Sequence, residues 1–214
     1  MSTKIWGPLG WMTLHSISLI YPEKPSHADM EILKKFMSLF ADTITCPDCK
    51  HHFAKMFESY KSRNPYWYIS RQEFFLFVAR AHNTVNMRLD KPRISTVAEC
   101  IETFKRNTLV TRGAIYRNNY ISYLIRNWSI EHSGESFILV NSAREMLKIN
   151  NEYWSPRDKG NTVVNIAEEN IMTPIINVPM RQNYFTGRQV EISTKLPSHV
   201  RVSFISRQLK SIGK

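Results

Sequence analysis

The segment Cys46-Pro47-Asp48-Cys49 holds two of the three cysteines in the chain. A pair so closely spaced either alternates between dithiol and disulfide or supplies half of a metal site. Pro47 suits the first turn of a helix, where its missing N–H is no loss and the free backbone amides favour a thiolate at Cys46. The thiolate is the attacking species in disulfide exchange, and a partner at Cys49 resolves a mixed disulfide quickly. The competing chemistry is zinc, with Cys46 and Cys49 completed by His51, His52 or another histidine in a metal-stabilised interaction module. The pair alone leaves both open.

A cofactor site beside the pair would separate these readings, and two stripes of residues suggest one. Trp11, Leu14, His15 and Ser18 share one face of a predicted helix, so an indole and an imidazole project together from adjacent turns. His82, Val85, Asn86 and Leu89 form a second face, with Asn83 beside it. Taken singly, such residues are more often satisfied core groups. Two stripes flanking a cysteine pair, with His52 following three residues after Cys49, point instead to a polar aromatic ligand that satisfies groups otherwise costly to bury.

Helices must position these residues. Apolar side chains recur at three- and four-residue spacing from Pro8 to Asn107, predicting helices over about 8–21, 28–43, 46–60, 71–89 and 95–107. Tyr21-Pro22-Glu23-Lys24-Pro25 ends the first, and a Ser-Thr cap with Glu99 opens the last. The expected fold is mainly α: a four-helix bundle with a short fifth helix over residues 1–109, then a small α+β extension over 110–214. In the extension a helix is expected near 135–149. Strands are expected at Thr162-Val163-Val164-Asn165-Ile166, Ile175-Ile176-Asn177-Val178 and Val200-Arg201-Val202-Ser203-Phe204-Ile205. Tyr153, Trp154 and Tyr184 could serve equally as core or as contact surface, and the tail from Ser206 is expected to be disordered.

A length of 214 residues exceeds a typical domain of roughly 100–150 residues, in keeping with one core plus an extension. The net charge of +11 is spread evenly, with 15 basic and 10 acidic residues up to Leu109 and 14 and 8 after it. That distribution argues against a polybasic arm, so nucleic-acid binding is not expected as the main function. No stretch approaches the roughly 18 apolar residues of a membrane span, and no apolar signal segment follows Met1. A cytoplasmic protein is therefore expected.

Three segments together resemble the Erv/ALR family of FAD-linked sulfhydryl oxidases. Trp6-Gly7-Pro8-Leu9-Gly10-Trp11-Met12-Thr13-Leu14-His15 resembles the family's Trp-Gly-x-x-x-Trp-x-x-Leu-His opening. Cys46 to Phe53 is similar to its Cys-x-x-Cys-x-x-His-Phe segment, and His82-Asn83-Thr84-Val85-Asn86-Met87-Arg88-Leu89-Asp90-Lys91 to its His-Asn-x-Val-Asn-x-x-Leu-x-Lys segment. The likeness covers about residues 4–107, and the paired His51-His52 look closest to members encoded by large DNA viruses, for which a viral factory or virion is the implied setting.

The resemblance implies an FAD held by Trp6, Gly7, Trp11, His15, His52, His82, Asn83, Val85, Asn86, Leu89 and Lys91. Trp11, His15, His82, Asn83 and Asn86 would surround adenine and ribose, Lys91 would lie near the phosphates, and Cys49 would face the isoalloxazine. It further implies that a substrate thiolate attacks Cys46, that Cys49 passes the electrons to the flavin, and that molecular oxygen accepts them to give hydrogen peroxide. Many family members carry a second, shuttle cysteine pair. This chain has none, so its partner is expected to be a dithiol protein substrate or a separate thioredoxin-like shuttle protein. A homodimer through the first helix is implied, with Ile17, Leu19 and Ile20 available for it. Cys100, beside Val97, Ile101 and Phe104, is expected to be buried and inert rather than to form an intermolecular bridge.

Overall fold

The computed structural model describes residues 3–108, 112–131, 133–158 and 164–177. Five helices match the expected series: α1 (Thr3–Ile20), α2 (His27–Thr43), α3 (Pro47–Arg63), α4 (Arg71–Arg88) and α5 (Val97–Asn107). Their starts follow from local chemistry. Ser26, Ser70 and Thr96 each accept a hydrogen bond from the amide three residues on, and Asp29 and Glu99 return a carboxylate bond to the backbone ahead of their helices. Helix α1 begins five residues earlier than expected and carries Pro8 inside it, where the Lys4 carbonyl loses its intrahelical donor.

Helix α4 is buried on nearly every side, from Phe74 through Ala79. It reads as apolar all round because α1, α3 and α5 cover it. One core cluster joins Leu14 and Ile17 of α1 to Leu33, Phe36 and Phe40 of α2, Phe53 and Phe57 of α3, and Phe74 and Phe77 of α4. A second gathers Leu19, Phe75, Leu76, Val97, Cys100 and Phe104. Ile17 and Leu19, which the sequence left available for a dimer, are consumed in these clusters at 0% and 4% exposure.

Beyond the bundle come α6 (Arg112–Ser129), α7 (Gly134–Ile149), a π-helical turn (Asn150–Trp154) and the single turn α8 (Ser155–Arg157). The expected helix near 135–149 is α7, whereas α6 was not expected. Helix α6 lies on α1, and α7 on α2 and α6. Gly10 permits the close approach, since a Cβ there would meet Tyr120 at 3.3 Å and Phe40 at 3.5 Å. Trp154 is fully buried against Tyr21 and Phe36, which settles it as core.

The junction is also polar. Arg117 is fully buried on α6, donating to Asn150 Oδ1 at 2.6 Å and Ser16 Oγ at 3.1 Å while paired with Asp158. Those bonds tie α6 to α1, to the π-helical turn after α7 and to the C-cap of α8.

The expected α+β character is not found: the described residues contain no strand. Residues 164–177, which include most of two expected strands, form an extended strap over α4 and α5. With no neighbouring strand, the strap's backbone groups bond to side chains instead. Thr84 Oγ1 accepts from Ile175 N at 2.9 Å, Asn83 Nδ2 donates to Ile171 O at 2.9 Å, and Arg80 Nε donates to Asn170 O at 3.0 Å. The strap in turn supplies Glu168, whose carboxylate accepts from Val97 N at 2.8 Å at the start of α5. Ile166, Ile171 and Ile175 enter the core as single apolar knobs. The third expected strand and Tyr184 lie outside the described residues.

Removing Asp158 strands a buried guanidinium, so Asp158→Ala should lower unfolding stability by about 3–5 kcal/mol. Chemical denaturation measures it, and a loss below about 1 kcal/mol would mean that Arg117 does not depend on this pairing.

Candidate active site

Cys46 is the N-cap of α3, Pro47 its first residue, and Cys49 stands on the first turn bonded to Cys46 as a disulfide. The Cys49 amide donates to Cys46 Sγ at 3.2 Å, so a helix-terminal N–H points at the sulfur that would carry negative charge after reduction. The two cysteines line different spaces. Cys46 lines a cleft of about 460 Å³ shared with α6 and α7, while Cys49 lines a second cleft of about 560 Å³ between α1, α3, α4 and α5.

The second cleft gathers most of the residues singled out in the sequence. Trp6, Gly7 and Trp11 line it from α1, His52 from α3, His82, Val85 and Asn86 from α4, and Leu89 and Lys91 from the turn after α4. That turn depends on Asp90, whose φ of 51° is left-handed. Lys91 N then donates to Asn86 O at 2.8 Å and Asp90 N to Met87 O at 3.3 Å, closing a Schellman motif that turns Lys91 back to the cleft.

Two expected residues lie elsewhere. Asn83 spends its amide on Ile94 O, Ile171 O and Ile94 N at 2.8, 2.9 and 3.0 Å, holding the strap rather than lining the cleft. His15 sits behind His82, its Nε2 3.0 Å from His82 Nδ1. It forms the inner part of a run of rings: Phe104 stacks on His15 at 3.4 Å, and His82 stacks on Trp11 at 4.3 Å.

The cleft suits a flavin dinucleotide. Its volume lies within the roughly 300–1,000 Å³ of cofactor pockets. Leu14, Phe40, Ile44 and Phe53 supply apolar walls, and Lys4, Arg88 and Lys91 supply cations fit for a diphosphate. Trp6 Nε1 and His52 Nε2 are buried with no partner in the protein, as lining groups that meet polar atoms of a ligand would be. By contrast, the described residues nowhere bring together three His, Cys, Asp or Glu side chains as metal ligands, which leaves the zinc reading without a site.

Comparison with known proteins agrees with this geometry. The Erv1 / Alr family matches residues 9–107. The chain is 30% identical over 90 residues to the FAD-linked sulfhydryl oxidase of African swine fever virus (isolate Tick/Malawi/Lil 20-1/1983), covering 42% of this chain and 72% of that one. The chain belongs to the Erv1/Alr family.

Among other relatives, the mitochondrial FAD-linked sulfhydryl oxidase ERV1 of Saccharomyces cerevisiae is 34% identical over 87 residues, spanning 41% of this chain and 44% of its own length. A FAD-linked sulfhydryl oxidase ERV1 of Arabidopsis thaliana is 33% identical over 85 residues, 40% of this chain and 42% of that one. The chain thus spans less than half the length of these two curated relatives. No solved structure matches it.

Burial sets the protonation of three histidines at and behind the cleft of this Erv1/Alr chain, His15, His52 and His82. It holds the His82 pKa down to about 4, assisted by Lys91, and that of His52 down to about 4, assisted by Arg88, His51 and Lys55. Burial likewise holds His15 well below its ordinary range, with His82 adding to the effect. All three rings are therefore neutral at pH 7, and the contact between His15 and His82 joins an N–H to a lone pair.

Lys4, Arg88 and Phe104 line the cleft but were not among the residues expected there. The signal for two of them was present: Lys4 lies two helical turns before Trp11 and Arg88 three residues beyond Val85, each on the stripe already identified. Phe104 comes from another helix and only packing brings it in. Cys100 is buried as expected at 1% exposure, and burial, with Glu99 adding, pushes its thiol up to about 12.

Two outcomes follow. Below about pH 6.5 the unfolded chain takes up protons that the buried neutral histidines refuse, so stability should fall as pH drops from 6.5 through about 4. The thermal midpoint against pH measures this, and a flat profile over that window would contradict buried neutral rings. Cys100 should stay unlabelled by a thiol reagent at pH 8 in the native protein and react fully in denaturant; fast native labelling would show that its site opens.

Proposed function

We propose that this protein is an FAD-dependent thiol oxidase that makes disulfides in protein substrates, with molecular oxygen as the final acceptor and hydrogen peroxide as product. One observation supports the reading: the two cysteines of a single disulfide line two different clefts. A substrate thiolate entering the first cleft attacks Cys46 Sγ; a mixed disulfide forms, the bond between Cys46 and Cys49 breaks, and the electron pair leaves on Cys49 Sγ in the second cleft. A second substrate thiolate attacks the mixed disulfide, releasing oxidised substrate and a Cys46 thiolate beside the Cys49 amide. FAD, when bound, supplies a two-electron acceptor that can deliver those electrons to oxygen.

The residues suited to hold FAD are Trp6, Gly7, Trp11, His52, His82, Val85, Asn86, Leu89 and Lys91, with Lys4 and Arg88 added to Lys91 for the phosphates. His15 and Asn83 act from behind: His15 orients His82, and Asn83 braces α4 against the strap. Functionally, residues 1–109 form the oxidase part and 110–214 an extension that serves it. The substrate is a dithiol protein or a separate thioredoxin-like shuttle. Pairing of two copies through α1 would have to use what that helix leaves exposed, such as Ile5 at 57%. A cytoplasmic or virus-assembly setting is part of this proposal, since a virus-encoded FAD-linked sulfhydryl oxidase is among the relatives. No described helix is long and apolar enough to cross a membrane.

The purified chain should be yellow and consume oxygen with a reducing dithiol. Cys46→Ser and Cys49→Ser should each lower turnover by at least about 10³-fold, as expected when a covalent nucleophile is lost, while the flavin spectrum remains. A colourless protein, or undiminished turnover in either variant, refutes the proposal.

A further inference from the structure

The cleft at Cys46 is built in large part by the extension. Trp128, at the end of α6, and Glu131, Ser133, Glu135 and Ser136, in the turn into α7, face Thr45, Cys46 and Pro47. This wall is held in place: the Trp128 indole N–H donates to Thr43 O at 3.1 Å, and a Ser133–Ser136 capping box fixes the start of α7. Thr45 is 2% exposed, and its hydroxyl, next to Cys46 in sequence, is buried with no partner in the protein. A hydroxyl left so is set for a group that enters the cleft. Among the described residues the lining carries two carboxylates, Glu131 and Glu135, and no lysine or arginine, in a chain of net charge +11. Beside the cleft in sequence, Ile130, Phe137 and Ile138 stand 69%, 65% and 63% exposed, apolar surface of the kind that marks a docking site.

We propose that the α6–α7 turn is a substrate-docking element that selects cysteine-bearing segments with a lysine or arginine close to the reacting thiol. Glu131 and Glu135 meet the basic side chain, Trp128 and the exposed apolar residues take the neighbouring chain, and Thr45 bonds to the backbone beside the thiol. The choice suits the chemistry, because a cation next to a cysteine lowers its thiol pKa and increases the attacking thiolate. It also runs against the long-range field of the chain, which by itself favours acidic peptides. This inference rests on the reading that substrate sulfur reaches Cys46.

The test uses full-length Cys49→Ser protein, whose Cys46 thiol can attack a cysteine peptide carrying a thionitrobenzoate leaving group. The peptide–Cys46 disulfide forms, and the released thionitrobenzoate anion is read by its colour, with no turnover of flavin. Two peptides are compared, identical except for lysines or glutamates flanking the cysteine. The lysine peptide should react on the order of tenfold faster in low salt, with the advantage shrinking at high salt. In E131Q/E135Q/C49S the advantage should fall toward one. Equal rates, faster reaction of the glutamate peptide, or an advantage that survives the glutamine changes overturns the proposal. Oxygen consumption by the unaltered protein with dithiothreitol tests the oxidase reading separately: turnover there with equal peptide rates would sink the docking element alone.

Discussion

Cys46 and Cys49 are joined by one covalent bond at the start of α3 yet face different clefts, and everything else in the structure serves that separation. A helix N-terminus makes it possible. The N-cap residue lies just outside the helical spiral while the residue three positions on lies within its first turn, so two bonded cysteines can border two different clefts at one helix end. The same end supplies the amide that meets Cys46 Sγ. Substrate and acceptor need never share a space, which lets one cleft be open and acidic while the other is walled by apolar and cationic groups.

The cofactor-sized cleft borders a packed run of rings from α1, α4 and α5. The rings of Phe104, His15, His82 and Trp11 fill the space between these helices and then stop, leaving Trp11 and His82 at the wall. Neutral imidazoles allow this, because burial disfavours the charged form of His15 and His82. On the far side of α1, Arg117 bonds to Ser16 and Tyr120 packs over Gly10, so the extension stiffens the wall that the cleft needs. The strap does the same for α4 through Thr84, Asn83 and Arg80. The segment after the bundle thus backs one cleft and lines the other.

The helices of the bundle, the cysteine pair and about half of the cleft residues were legible in the sequence, for reasons that are largely local. Capping serines and threonines, apolar spacing and the placement of Pro47 act within a few residues, and residues three and four apart on a helix share a face whatever the helix packs against. Tertiary structure decided the rest. Helix α6 was hidden because Arg117 occupies a core position in the series Gly113, Arg117, Tyr120, Ile121, Leu124, and a buried arginine is tolerated only by partners distant in sequence, Ser16, Asn150 and Asp158. The β-branched stretch around Val164 reads as a strand, yet becomes a strap because helix side chains, not a neighbouring strand, meet its backbone. Likewise Asn83 and Asn86 look equivalent on paper, and only the arrival of the strap takes one amide away from the cleft. What lies along one helix face follows from period and chemistry; which faces meet, and which cysteine lines which cleft, follows only from packing across the chain.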